Sequence, residues 1–356
     1  MKAKIIMAAI IAAFFCMHGC GDDGPGSGDS NLVFVMDDIN QVTTWSADSV
    51  YIIKVYDFYV NNSLSIEAGT VIKFHPDGPY MMVGSGGTII ANGTADQHIV
   101  FTSWKDDDHG GDSNEDGEAT MPARKDWNGI NTNDNNGSIF NYCDFFYGGN
   151  SSYSYTLETY GDNIQVTNCT FAFNAGDDET GWYGALDGNY AGSGCTFTGN
   201  VFYDNIRPFS VSTAVSIDNS NRFSHPDDAS RINDYNGIFI ESVEDINTAI
   251  SWEETEVPFV IDDNDLWIES GASLTLGDNV CIKFRPDSEF VLDDNNAIVN
   301  HGGTGVTFTS YKDDSVKGDT NGDGSITAPG PGDWGGIYDN ISSQYMNWAN
   351  IFYSAN

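Results

Sequence analysis

FTSWKDDDHGGDSNEDGEATMPARKDWNGI, residues 101–130, is written a second time as FTSYKDDSVKGDTNGDGSITAPGPGDWGGI, residues 308–337. The two align without a gap: Asp112 and Asp319, Pro122 and Pro329, and Trp127 and Trp334 are each 207 positions apart. Internal repetition on this scale decides architecture before local propensity does. The likeness extends upstream, where SLSIEAGTVIKFHPD (63–77) matches SLTLGDNVCIKFRPD (273–287), and downstream, where NYCDFFY (141–147) matches NWANIFY (347–353).

Between these landmarks the chain is a series of short alternating runs cut by Gly, Asn and Asp, such as Leu64 and Ile66, Ile72 and Phe74, and Ile99 and Phe101. Period-two apolar spacing reads as strands, and strands in a repeated sequence read as a solenoid. The middle third supplies the turn of that solenoid. NYCDFFYGGN, TNCTFAFN and TGNVFYDN share Phe145, Phe171 and Phe202, and the last two share Asn174 and Asn205. Cys143 and Cys169 are 26 residues apart and Cys195 lies another 26 on, which invites a ladder of three cysteines. A step of 31, pairing Val166 with Phe197 and Phe171 with Phe202, matches more positions and is the register expected. Inward Ile, Val, Phe and Cys would then lie above one another at each turn, forming a core that no single turn could bury. Asn at the corners can ladder its amides. The expected fold is all-β, a parallel β-helix with inserted acidic loops. Residues 175–192 form a further loop carrying Trp182 and Tyr183, the candidate ligand-binding pair, because loops on a rigid scaffold are where binding concentrates.

The N-terminus, MKAKIIMAAIIAAFFCMHGC, places Lys2 and Lys4 before an apolar run too short to span a bilayer, the pattern of a secretory signal. It ends at Cys20 in a setting that resembles a bacterial lipobox, which implies acylation of Cys20. The Gly, Ser, Pro and Asp content of the following residues is that of a surface tether. The expected organisation is a signal over 1–20, a tether over 21–40, a first helical unit over 41–238 and a second over 239–356. The location implied is the bacterial cell envelope, with the chain lipid-anchored to the outer membrane and surface-exposed. Residues 224–247, with Pro226 and several acids, could interrupt the stack as a hinge. A solenoid also needs a cap, and the chain runs only one strand beyond the second DWGGI.

The net charge of -38 repels nucleic acid and anionic lipid, so membrane contact is expected through the N-terminal lipid only. It favours a neutral or cationic partner, a glycan among them. At 40% hydrophobic and 13% aromatic residues the chain is nonetheless a folded one. Four cysteines beyond the N-terminal segment, Cys143, Cys169, Cys195 and Cys281, are too sparse for a disulfide framework.

SLSIEAGTVIKF, GGTIIANGTADQHIVFTSWKDD, GDSNEDG and DWNGI together resemble a family of bacterial secreted and lipid-anchored right-handed parallel β-helix proteins of pectin-lyase-like architecture. The resemblance covers the chain from about Tyr51 onward. It implies a fold and a surface location but no activity, since that architecture hosts lyases, hydrolases, adhesins and noncatalytic stalks alike.

In Asp112-x-Asn114-x-Asp116-Gly117 and Asp319-x-Asn321-x-Asp323-Gly324 every second side chain can point at one centre while glycine permits the turn. This resembles the first half of an EF-hand or dockerin calcium loop, with a carbonyl near Glu118 or Ser325 as a further ligand. The bidentate Glu at position twelve is missing, since Ala123 and Gly330 stand there. Asp106 and Asp107, their copies Asp313 and Asp314, or Asp126 and Asp333 are candidates to supply it. The candidate set for Ca2+ is Asp107, Asp112, Asn114, Asp116 and Glu118, with Asp314, Asp319, Asn321, Asp323 and Ser325. Trp127 and Trp334, beside the loops, are expected to pack into the core.

Arg207, Arg222, His225 and Arg231 form the only basic cluster, and no motif orders them for lyase chemistry. Asp177, Asp178 and Glu179 could pair as the acids of a glycoside hydrolase, although a Gly-bounded acidic loop is usually just solvated. The function expected is noncatalytic adhesion or carbohydrate binding and display, with a polysaccharide lyase or glycoside hydrolase as the alternative.

Overall fold

Strands of two to six residues follow one another along the chain, and no helix occurs among the described residues. The computed structural model describes residues 31–356 apart from 77–79, 134–136, 151–154, 177–182, 242–243, 262–264 and 295. Apart from Ser224–His225, Asp228–Ile232 and Gln344–Tyr345, which pair antiparallel, the strands pair in parallel with strands about a turn away in sequence. Val71–Phe74 lies beside Ile99–Ser103, then come Cys143–Phe146, Thr170–Ala172 and Val201–Tyr203. Parallel sheets of seven, ten and six strands result, with later sheets of three and four strands. The arrangement is compatible with a solenoid.

The register matches the spacing read from the sequence. Phe145 sits opposite Phe171, a step of 26, and Phe171 opposite Phe202, a step of 31. Five phenylalanines stack: Phe101 on Phe145 at 4.9 Å, Phe145 on Phe171 at 4.7 Å, Phe171 on Phe202 at 5.1 Å and Phe202 on Phe223 at 5.2 Å. Those separations are close to the spacing between neighbouring strands, so the rings repeat with the backbone. No three-cysteine ladder forms. Val166 pairs with Phe197, which carries Cys195 onto the six-stranded side, where its thiol reaches the Gly161 carbonyl at 3.1 Å. Cys143, Cys169, Cys195 and Cys281 are all free and buried.

The corners are held by amides. Asn174 donates to Asn205 Oδ1 at 3.0 Å, Asn205 to Asn233 Oδ1 at 2.8 Å, and Asn233 to Asn236 Oδ1 at 2.8 Å. Each buried side chain so placed satisfies its neighbour instead of needing water.

Three features bear on the expected organisation. The segment assigned to the tether already contains a strand, Asn31–Val35, because NLVFV is β-branched and aromatic enough to pair with Ser49–Ile53. Within the described residues of 224–247 only Ser224–His225 and Asp228–Ile232 form a separate antiparallel hairpin, and the ten-stranded sheet continues from Asp57–Val60 to Thr307–Ser310 with Ile238–Ile240 among its strands. The division at 238/239 therefore falls inside Ile238–Ile240, a strand of that shared sheet.

The third concerns the repeat. Val71–Phe74 and Ile99–Ser103 belong to the seven-stranded sheet, whereas their copies, Cys281–Phe284 and Thr307–Ser310, belong to the ten-stranded one. The strands after the loops move likewise: Gly129–Asn131 is in the ten-stranded sheet and Gly336–Asp339 in the four-stranded one. The second copy is thus advanced by one face relative to the first.

Candidate metal centres in the two acidic loops

Each loop is tied to its own sheet by a lysine in the middle of a strand. In Val71–Phe74, Ile72 and Phe74 point into the core and Lys73 points out, yet Lys73 is fully buried because the loop folds over it. Its ammonium donates to the carbonyls of Asp106 at 2.6 Å and Gly111 at 2.7 Å. Lys283, its copy, is also fully buried and donates to the Gly318 carbonyl and the Thr320 hydroxyl, both at 2.8 Å. Burial lowers the pKa of both lysines, and the surrounding aspartates oppose that shift. The one signal for these residues along the chain is their recurrence as IKF in both copies.

The repeated Asp and Trp residues complete the frame. Asp126 accepts from Ser103 at 2.7 Å and from Lys105 at 2.6 Å; Asp333 accepts from Ser310 at 2.8 Å and from Lys312 at 2.9 Å. Asp106 and Asp313 accept from Thr102 at 2.5 Å and Thr309 at 2.7 Å. Trp127 stacks on Phe74 at 4.0 Å and Trp334 on Phe284 at 3.9 Å, both indoles buried, as the sequence predicted. Gly129, in the DWNGI motif, is required by a close approach: a Cβ there would lie 2.3 Å from the Tyr155 carbonyl of the next turn.

With Asp106, Asp126 and their copies so engaged, Asp107 and Asp314 are the ones that join the loop carboxylates. Asp107, Asp112 and Asp116 each place a carboxylate oxygen within 4.8 Å of the others, and Asp314, Asp319 and Asp323 do the same. The two clusters could hold a metal ion. Asp112 is oriented by the amides of Asp116 and Gly117, at 3.1 and 2.9 Å, and Asp319 by those of Gly322 and Gly324, at 2.8 and 2.7 Å. Among the described residues of the two clusters and their loop asparagines, three buried oxygens have no hydrogen-bond donor: Asp107 Oδ1, Asn114 Oδ1 and Asp314 Oδ1. Such orphaned acceptors are costly unless a cation or water meets them.

The electrostatics follow. Burial first, then repulsion from Asp112, raises the pKa of Asp107; burial and Asp319 raise that of Asp314. Asp116 and Asp323 are held below the usual carboxylate range by the hydroxyls of Thr120 and Thr327. Carboxylate oxygens suit a hard cation and not a thiophilic metal. Of the other expected ligands, Asn114 and Asn321 donate to Asp116 and Asp323, both at 3.0 Å. Glu118 is exposed and lines the same recess as Asp107. Ser325 donates its amide to Asp323 at 2.9 Å and its hydroxyl stabilises ionised Asp314.

Of the expected basic patch, Arg222, His225 and Arg231 lie together, with Arg231 and His225 both against the Tyr203 ring and Arg222 donating to the carbonyls of Ser224 and His225. Arg207 is fully buried, ion-paired to Glu241 at 3.0 Å and stacked over Phe239. Beside Arg207 lies a buried polar set the sequence reading missed. Glu158 accepts from Tyr80 and Asn131, both at 2.5 Å, and Glu241 from Tyr155 at 2.9 Å and Asn189 at 2.8 Å. Burial raises the pKa of Glu158 and that of nearby Asp187. Trp182, Asp177, Asp178, Glu179 and Cys20 lie outside the described residues; Tyr183 contacts Tyr155 edge-on at 5.5 Å.

Comparison with known protein families, curated proteins and solved structures finds no match to this chain.

Proposed function

We propose that the chain is a noncatalytic right-handed parallel β-helix of the bacterial cell surface, stabilised by a calcium ion in each acidic loop and serving adhesion or glycan display. The observation that carries the metal reading is the duplication of one geometry. Two loops of different sequence, on different faces, bring together the equivalent three aspartates, and each leaves buried carboxylate oxygen without a donor. Calcium would neutralise carboxylates that otherwise repel, and would tie each loop to the lysine-anchored frame. The acidic surface favours a neutral or cationic partner, and the lipid anchor at Cys20 is part of the same proposal.

Calorimetric titration of calcium into the chain from Gly21, with thermal unfolding in calcium and in chelator, tests this. Two binding events are expected, with a stabilisation that grows with free calcium as binding linkage requires, about 2.7 kcal/mol at a hundredfold excess over Kd for each site. Asp112→Asn and Asp319→Asn should each remove one event. Absence of heat and of a thermal shift would refute the metal reading. A second reading, a polysaccharide lyase or hydrolase, draws on the buried Glu158, Asp187 and Arg207 set; its carboxylates are already occupied by Tyr80, Asn131 and Asn189. Depolymerisation of a polysaccharide that Glu158→Gln abolishes would favour it.

A further inference from the structure

A cavity of about 250 Å3 lies where three successive strands of the ten-stranded sheet end, and Asp162, Asn189, Tyr190, Ser212, Thr213 and Glu244 line it. It owes its shape to a bulge. Glu158 pairs with Asp187 but Tyr160 pairs with Tyr190, so one extra residue is accommodated in Leu186–Ala191 where Gly188 and Asn189 pass Thr159. Bulges re-aim side chains next to binding sites. Here the bulge sets Tyr190 flat against Tyr160, ring centroids 4.8 Å apart and planes 9° apart, with Tyr190 51% exposed.

We propose that this cavity binds one neutral pyranose ring of a glycan. The donor and acceptor inventory carries the inference. Asn189 is 5% exposed, and its Nδ2 donates to Glu241, which fixes the amide orientation because a carboxylate only accepts. Its Oδ1 is then a buried acceptor with no donor. Ser212 spends its proton on the Ala191 carbonyl at 2.6 Å, and Thr213 on that of Glu244 at 2.9 Å. Both hydroxyls can therefore only accept from a ligand. Asp162 and Glu244 add carboxylates, so an anion is excluded and the occupant must bring donors. Both of these carboxylates stand at exposed positions where water screens them, while the one buried group is a neutral amide. Hydroxyl donors on an apolar ring match that lining, with the tyrosine face meeting the C–H face of the sugar. The volume is below the roughly 300–1,000 Å3 of drug-sized sites, which fits one ring and not a chain segment.

The inference rests on the glycan-display reading but not on the metal. Its test is saturation-transfer NMR on the full chain with the methyl glycosides of glucose, galactose and mannose, in calcium and again in chelator. At least one is expected to bind saturably, and Tyr190→Ala, an exposed site, should weaken it about tenfold, the loss of one aromatic platform. Asn189→Leu should weaken it likewise. No saturable transfer from any of the three, or binding unchanged in Tyr190→Ala, overturns the proposal, as does methylammonium binding more tightly at the same tyrosine. Sugar binding without calcium heat would leave the cavity assigned and refute the metal reading; calcium heat without sugar binding does the reverse.

Discussion

Glu254 should make the protein lose stability as the pH rises, and replacing it with glutamine should abolish that loss. The side chain is fully buried. Oε1 accepts from the amides of Thr255 and Glu256, both at 2.7 Å, while Oε2 has no donor. Burial, with added repulsion from Glu256 and Asp218, pushes the pKa from 4.5 up to about 7 against the pull of those two amides. Because the folded-state value is the higher one, the folded chain holds a proton that the unfolded chain has released between those limits. The stability it represents is full below about pH 4.5 and is lost as the pH rises through about 7. At about 1.4 kcal/mol per tenfold change in proton affinity, the span from 4.5 to about 7 is worth about 3 kcal/mol. Glu254→Gln keeps the acceptor and removes the charge. Urea unfolding of both proteins at pH 4.5, 6 and 8 should show the variant's advantage growing from near zero to about 3 kcal/mol. An advantage independent of pH, or one that shrinks as pH rises, would refute the reasoning.

Lys283→Met should free the second loop alone, since it removes the ammonium that holds the Gly318 carbonyl and the Thr320 hydroxyl to the strand; amide exchange over 311–335 should quicken with about 1–3 kcal/mol lost and the first loop unchanged. Trp334→Ala, which removes an indole stacked at 3.9 Å on Phe284, should cost about 3–5 kcal/mol in chemical denaturation. Asn205→Ala cuts the amide ladder between Asn174 and Asn233 and removes a side-chain donor from the Phe171 carbonyl, so a loss of about 1–3 kcal/mol is expected from the same measurement. A loss under half a kilocalorie in either variant would show that the stack is carried by other contacts.

Much of this architecture could be read from the chain because a stacked fold writes its register into the sequence. Phe145, Phe171 and Phe202 recur at the steps with which their strands pair, and the two indoles recur where a loop must be closed. The aspartate trio was legible for the same reason, as a motif copied in context. What settles Asp107 over Asp106 and Asp126 is which hydroxyls and ammonium groups have already claimed the latter two, and no spacing reveals that. Lys73 and Lys283 read as ordinary solvent-facing strand residues, since nothing local announces that a loop 30 or more positions later will bury them. Asn189 was hidden by a bulge, which inserts a residue without a signature of its own.

The advance of the second copy by one face bears on how such a chain can grow. The core draws apolar side chains from every large sheet, so a duplicated segment can find apolar partners on more than one of them. At an offset of 207 residues, the strands flanking the second acidic loop lie in different sheets from those flanking the first. Each further unit of that length would carry its acidic loop to the next side, and a short array would point them all around the axis instead of lining them along one wall. A partner approaching from any direction would then meet a loop, which a duplication confined to whole turns could never provide.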